Sequence, residues 1–237
     1  MDRIIKNYDP DLLTNELLYE TNDWDIIELN YDLDPDKLTE WYNKLSEDFG
    51  HIRFEFDKNP EKLNLEVSRR MVEEGYCGYY CGPIDGMTLA WPKERYEPLP
   101  PPAQANSEYF PEVNYDTFID DAKIMSKFRF GYLEEMLKVL GEDSFRQMVI
   151  TTHHPGMYIR QHIDSKVLKL HIPVVTHDNA LFHFGKDKEL GSYNMKLGKI
   201  YILNTGDYHG TTNEGEHKRS HIITRVMPEQ LQKIIRL

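Results

Sequence analysis

Residues Thr151–Val226 read TTHHPGMYIRQHIDSKVLKLHIPVV (151–175), then ALFHF (180–184), then GKIYILNTGDYHGTTNEGEHKRSHIITRV (198–226). Short apolar or alternating runs are separated by turn chemistry: HPG, HIDS, THDN, TGDYHG and NEGEHK. With QMVITT just upstream and SYNMKL between the last two runs, this predicts many short strands at near-regular spacing. That is the pattern of a β-sandwich or barrel. Nine of the ten histidines also fall in this window; only His51 lies outside it. Histidine is the commonest side-chain metal ligand and carries a proton near neutral pH, so the same stretch is expected to hold a site.

Working outward, the first half reads as mainly helical. Asp9-Pro10, Asp34-Pro35 and Asn59-Pro60 each open an amphipathic run with a capping residue and a proline at the first helical position. Gly50 and Gly75 stop the second and third. IIELNYDL and HIRFEFD alternate and are expected to be strands. Residues 82–111 hold seven of the thirteen prolines and are read as an ordered irregular loop or an extended lid. TFIDDAKIMSKFRFGYLEEMLKVLGED is expected to form one or two helices ending near Gly141, and PEQLQKIIRL a terminal helix opened by Pro228. The organisation expected is a single α+β domain. Residues 1–147 form a mainly helical lead-in with its lid, 148–227 a jelly-roll core, and 228–237 a closing helix.

Composition narrows the classes. The 237 residues are 40% hydrophobic and 12% aromatic, enough for a core. The net charge of −12 opposes binding to phosphate backbones. There is neither a transmembrane-length apolar run nor an apolar signal core at the N-terminus, so a soluble, cytoplasmic protein is expected. Cys77 and Cys81, alone in CGYYC, are read as ordinary thiols.

The chemistry starts at His162-Ile-Asp164. On a strand, residues two apart share a face, so a strand end here offers an imidazole and a carboxylate to one point. His209 follows 47 residues later, just past the run KIYILN. Two histidines and one carboxylate on one face of a metal are the arrangement of non-haem Fe(II) oxygenases. Arg219 follows ten residues on, a permanent cation whose planar fork grips carboxylates. A metal with open positions and a deep arginine suits 2-oxoglutarate, whose keto-acid end chelates iron while the far carboxylate pairs with arginine, and leaves a position for O2. The same three ligands could hold zinc in a hydrolase or isomerase on a cupin-like barrel. A barrel that holds a small acid without turnover is the third reading. The hydrolase reading gives no reason for Arg219, and a complete triad beside an arginine weighs against a barrel without turnover. Among the other histidines, His153 and His154 precede Pro155-Gly156 at a turn; His154 is expected to be solvated there, with support of the site as the alternative. His177 is read as a loop residue. His217, amid EGEHKR, is the weaker rival of His209. His183 can face interior or solvent, and His221 should point the same way as Arg219.

These pieces, in order T-x3-PG, HID, LKLHIPVV, GKIYILNTGDYH and N-x5-RSHIITRV, resemble the aspartyl/asparaginyl β-hydroxylase family of Fe(II)/2-oxoglutarate dioxygenases over about residues 148–227. The resemblance implies a double-stranded β-helix. It implies His162, Asp164 and His209 as iron ligands and Arg219 as partner of the distal carboxylate of 2-oxoglutarate. Thr151 stands at the position of a family serine that also holds that carboxylate. Lys169 and His171 stand where the family has Arg-x-His at the metal-proximal carboxylate; the lysine departs from the pattern and loses a bidentate contact. The activity implied is hydroxylation of an unactivated C–H of an amino acid, free or within a peptide or protein.

Overall fold

The structure is a computed structural model that describes residues 3–9, 12–14, 17–18, 23–50, 52–54, 65–74, 80–81, 84–91, 122–141, 146–164, 168–185 and 191–225. Strands dominate. They are β1 Ile4–Tyr8, β2 Ile26–Asp32, β3 Ile52–Phe54, β4 Tyr80–Cys81, β5 Ile84–Thr88, β6 Ala90–Trp91 and β7 Lys123–Ile124, followed by β8 Arg146–His153, β9 Tyr158–His162, β10 Leu168–Val175, β11 Ala180–Phe184, β12 Gly191–Tyr193, β13 Lys199–Asn204, β14 His209–Asn213 and β15 Arg219–Arg225. The α-helices are α1 Pro35–Phe49, α2 Leu65–Glu73 and α3 Tyr132–Leu140.

From β8 onward, consecutive strands fall largely in alternate sheets. The larger sheet runs β1-β2-β13-β10-β15-β8-β5-β3, and the smaller β12-β11-β14-β9-β4. β1 pairs with β2 in parallel; the pairs β2–β13–β10–β15–β8–β5–β3 are all antiparallel. This winding fits a double-stranded β-helix. Each large-sheet strand has two distinct faces because its side chains alternate. On the outer face, Ile150, Leu170, Ile172 and Ile222 are fully buried, each at or below 1% exposure, against Leu38, Trp41, Tyr42 and Leu45 of α1 and the apolar side of α3.

Local chemistry explains α1. Asp34 accepts from the amides of Asp36 and Lys37 at 3.1 Å each, Pro35 needs no amide partner at the first position, and Gly50 ends the helix at φ 68°. Its buried residues 38, 41, 42 and 45 follow helical spacing and make one stripe. Tyr42 ends that stripe in polar contact. Its hydroxyl meets Ser220 Oγ at 2.8 Å and Thr152 Oγ1 at 3.3 Å, and those two meet each other at 2.7 Å. Three hydroxyls that both donate and accept can close such a triangle without an orphaned group.

Several expectations from periodicity differ from the fold. Asp9–Glu20 forms no α-helix among the described residues; Leu12 N bonds Asp9 O, Leu18 N bonds Thr14 O, and Leu13 and Leu18 are buried as separate anchors. In the run 117–143, expected to be one or two helices, the described residues hold a strand, β7, and a 3-10 turn at Ser126–Phe128 before α3; residues 117–121 lie outside the described residues. Ile84–Trp91, read as part of an irregular Pro-rich stretch, supplies β5 and β6; the rest of the lid region lies outside the described residues, as does the terminal run 226–237. The first half thus contributes strands β1, β2, β3 and β5 to the large sheet as well as helices. HGTTN, whose ends fall in the runs TGDYHG and NEGEHK read as turns, is strand β14. Its polar side chains hide it from a hydropathy pattern, yet all five residues are buried. Among the described residues no helix is long and apolar enough to cross a membrane.

Candidate active site

Strand pairing brings the histidines together. β9 ends at His162, β14 begins at His209, and the register of the two strands sets these residues opposite one another. The strands pass unusually close beside the pair. A Cβ on Gly210 would stand 2.6 Å from Ile159 O, so glycine is required there. The two imidazole centroids are 4.4 Å apart, and Phe182 stacks on His209 at 6.0 Å. Asp164 follows β9, with its amide held by the carbonyl of Thr205 at 2.9 Å. Its Oδ1 lies 3.7 Å from His162 Nε2 and its Oδ2 3.7 Å from His209 Nε2. One ligand atom from each residue falls within a 4.8 Å cluster.

The backbone fixes which ring nitrogen faces the cluster. His162 Nδ1 is 2.8 Å from the Arg160 carbonyl, and His209 Nδ1 is 3.0 Å from the Asp207 carbonyl. A carbonyl can only accept, so both Nδ1 atoms carry a proton and both rings turn Nε2 toward the cluster. This is how a second layer of contacts orients metal-binding imidazoles. Burial pushes His209 down to about 4, which keeps the ring neutral near pH 7. For Asp164, burial works to raise the pKa, but the Lys169 ammonium paired with Oδ2 outweighs it and holds the carboxyl below its ordinary value. Two imidazoles that turn Nε2 to one point and an ionised carboxylate form a donor set that suits Fe(II).

Beside this triad, β10, β15 and β8 turn a second group inward. The β8–β15 register sets Arg219 opposite His153 and His221 opposite Thr151, and Lys169 and His171 share one face of β10. Arg219 is 4% exposed. Its Nη1 lies 2.9 Å from His153 Nδ1, and its Nε and Nη2 lie 3.2 and 3.1 Å from the two nitrogens of His221. His171 Nδ1 lies 3.4 Å from His221 Nδ1. Burial, and then the adjacent guanidinium, hold His153, His171 and His221 well below the ordinary histidine pKa, so all three are neutral. Burial likewise lowers Arg219, to about 10, which leaves it charged near pH 7.

The group therefore has more donors than acceptors. A neutral imidazole has one acceptor nitrogen, so only one of the two Arg219–His221 contacts can be a hydrogen bond. Among the described residues Arg219 has no carboxylate partner, and two buried polar atoms nearby, Thr151 Oγ1 and His171 Nε2, have no hydrogen-bond partner. A buried unpaired cation is costly, and so is each orphaned polar atom. An anion with several acceptor oxygens would answer all of these at once, so the residues present fit a dicarboxylate.

The remaining histidines lie away from this centre. His154, expected in a solvated turn, is instead mostly buried and sits 2.6 Å from the buried Asp85. His153 was expected in the same turn. It faces inward because β8 runs one strand position further than the HPG signal suggested. The signal that could have placed it was the spacing Thr151-x-His153, which puts both on one strand face. His183 bonds Ser192 and Thr212 on the outer side of the small sheet, opposite the inward Phe182. His177 reaches the backbone carbonyl of the exposed His217 at 3.1 Å.

A family model, aspartyl/asparaginyl β-hydroxylase, matches residues 127–228. No curated protein sequence matches the chain. Among solved structures, the chain is similar to a 2OG-Fe(II) oxygenase family oxidoreductase from Burkholderia pseudomallei, with 10% identity, 84% of each chain covered and a TM-score of 0.48. It is similar to HygX from Streptomyces hygroscopicus with nickel and 2-oxoglutarate bound, with 10% identity, 91% of this chain and 87% of that one covered, and a TM-score of 0.47. A prolyl-4-hydroxylase from Pseudomonas putida is similar at 11% identity over 85% of this chain and 91% of that one, with a TM-score of 0.41. Likeness this distant says nothing of function by itself; the family match does. On the family match over residues 127–228 and the cluster of His162, Asp164 and His209, the chain is a 2-oxoglutarate-dependent oxygenase that uses Fe(II) and O2.

Proposed function

We propose that His162, Asp164 and His209 hold the iron, that Arg219 and Thr151 take the distal carboxylate of 2-oxoglutarate, and that His171 and Lys169 serve its metal-proximal end. The enzyme so built hydroxylates an unactivated C–H of an amino acid, free or within a peptide. The observation that carries this reading is Arg219: a guanidinium at 4% exposure whose partners are neutral histidines needs an anion, and it shares a sheet face with the orphaned Thr151 Oγ1 and His171 Nε2.

Contacts run without a break from the triad to the arginine. Lys169 pairs with Asp164, His171 follows two positions along the same face, and His171 meets His221, which meets Arg219. A five-carbon dicarboxylate suits such a path because its two ends need different partners. Iron with bound 2-oxoglutarate supplies the oxidative chemistry: O2 is consumed, the keto acid becomes succinate and CO2, and one oxygen atom enters the substrate as a hydroxyl.

The chain's own residues bind and orient. The carbonyls of Arg160 and Asp207 aim the two imidazoles. Lys169 keeps Asp164 ionised. Arg219 and Thr151 fix the far end of the cosubstrate, so its keto acid meets the metal in one orientation. Phe182, Tyr201 and Leu203 keep the adjoining interior apolar. The domain organisation follows the same reading, with 148–227 as the catalytic core and α1 as an outer support of its sheet.

The amino-acid substrate class rests on the family. Its test is turnover. The protein is supplied with Fe(II), ascorbate and 2-oxoglutarate, then screened against the free amino acids and against peptides containing Asp, Asn and Pro. The expected result is succinate formation stimulated by one substrate class, with a matching one-oxygen mass increase on that substrate. Cosubstrate turnover that no amino acid or peptide stimulates would contradict the substrate class and leave the cofactor reading standing.

A further inference from the structure

We propose that Arg3, 204 residues before Asp207 in sequence, is a positioning residue for the metal centre, acting through the turn Asn204–Tyr208. The inference rests on the metal reading above and concerns what holds its ligands in place.

That turn is where two of the three ligands take their bearings. The Thr205 carbonyl accepts the amide of Asp164 at 2.9 Å, and the Asp207 carbonyl accepts Nδ1–H of His209 at 3.0 Å. A shift of the turn would move the Asp164 backbone and the His209 ring together. The turn is tied from within by Asp207 Oδ1, which accepts the amide of Tyr208 at 2.7 Å. It is tied from outside by Arg3. The guanidinium donates from Nη2 to Asp25 Oδ1 at 2.8 Å and to Asp207 Oδ2 at 2.6 Å, and its Nε stands 2.7 Å from Asp25 Oδ2 as an ion-pair contact outside hydrogen-bond geometry.

Asp25 is an anchored base for this clamp. Its side chain is 2% exposed, its amide bonds the Arg3 carbonyl at 2.7 Å, and its own carbonyl accepts the amide of Asn204 at 3.0 Å. Asn204 also bonds the Trp24 carbonyl at 3.2 Å through its side chain. The segments around residues 3 and 24–26 therefore fasten both ends of the turn. Arg3 is only half-buried, yet its role does not depend on the small net worth of an exposed ion pair. Removing it leaves two carboxylates, one of them buried, facing each other across the turn. Like charges with no cation between them push apart, and the displacement falls on Asp207, whose carbonyl aims His209.

The experiment uses the full chain and Co(II), whose visible absorption bands report the geometry of its ligands. Wild type, Arg3→Ala, Arg3→Lys, Asp207→Asn, His209→Ala and, as a surface control, Lys37→Ala are titrated with Co(II). Apo melting temperatures are measured alongside. Arg3→Ala is expected to raise the Co(II) dissociation constant about 10-fold or more and to change the band shape, as loss of an outer-layer contact typically does. Arg3→Lys should recover part of the affinity, because one ammonium keeps the charge without the planar fork. Asp207→Asn keeps its backbone carbonyl and should lose affinity to an intermediate degree. That variant decides the matter if Arg3→Ala does not fold. Affinity within twofold of wild type and an unchanged spectrum in both Arg3→Ala and Asp207→Asn would overturn the proposal while the metal reading stands. A wild type that binds Co(II) no better than His209→Ala would overturn the metal reading and this inference with it.

Discussion

The two halves of the barrel interior carry opposite chemistry. Beneath β2 and β13 the inner face is apolar: Ile26, Tyr201 and Leu203 pack against Phe182 and Met195 of the opposing side. Beneath β10, β15 and β8 it is polar and crowded with donors: Arg219, His153, His171, His221 and Thr151. The outer face of those same three strands is a conventional core, with Leu170, Ile172 and Ile222 each at 1% exposure or less. One set of strands thus holds the fold together on one side and spends stability on the other. An unpaired buried guanidinium with orphaned neighbours is tolerated only if something else repays it. On the present account that is the cosubstrate.

If this comparison is right, substitutions on the two faces should separate cleanly into loss of function and loss of stability. The largest functional effect is expected at the triad. His209→Ala should abolish 2-oxoglutarate turnover, while His217→Ala, in an exposed turn, should leave it nearly unchanged; the reverse outcome would move the distal ligand to His217. Next comes the pair Arg219→Leu and Leu170→Ala. Losing Arg219 should raise the 2-oxoglutarate KM roughly 30-fold or more, the scale of truncating one member of a desolvated charge pair. Its apo melting temperature should hold or rise, because an uncompensated buried charge is gone. Leu170→Ala should do the opposite, costing about 2–5 kcal/mol in urea unfolding with little change in KM. Equal stability losses in both would break the comparison.

The same polar face predicts a pH effect of known sign. His153, His171 and His221 are neutral in the fold, with pKa values well below the ordinary histidine value. The unfolded chain takes up protons below about pH 6.5 and the folded chain does not. Stability is therefore complete above that pH and drains as pH falls through it, each histidine contributing at most about 1.4 kcal/mol per pH unit. Asp25, raised by burial to about 6, works in the other direction, one group against five, since His183 and His209 are lowered as well. Urea unfolding at pH 7.5 and 5.5 should show a clear loss at the lower pH, and equal midpoints would mean the histidines are not held neutral. The smallest effect is expected at His153. His153→Leu should raise the 2-oxoglutarate KM about 10-fold, the cost of one charge-assisted contact, without changing Co(II) affinity.

Much of this was legible in sequence where pattern and environment agree. Alternation located β2, β9, β10, β13 and β15, and the cap, proline and glycine around α1 placed its ends. The spacing of His162, Asp164 and His209 pointed to residues that lie together in the fold. What escaped was strand written in polar letters. His209–Asn213 hides in HGTTN because its side chains are polar although buried; Asn213, for example, donates to the carbonyls of His153 and His217. β5 escaped because the prolines around it suggested a loop. His153 escaped because Pro155-Gly156 advertises a turn that begins one residue later than assumed. Arg3 could not have been foreseen at all, since its partners are brought to it only by the closing of the large sheet.

The central claim is that one inner face of this barrel is shaped to hold 2-oxoglutarate against a metal. The most direct measurement is anaerobic visible absorbance of the purified protein with Fe(II), with and without 2-oxoglutarate. A metal-to-ligand charge-transfer band is expected that appears on adding the keto acid, is absent in His209→Ala, and in Arg219→Leu needs far more 2-oxoglutarate. Iron that binds the protein without giving such a band at any cosubstrate concentration would contradict it.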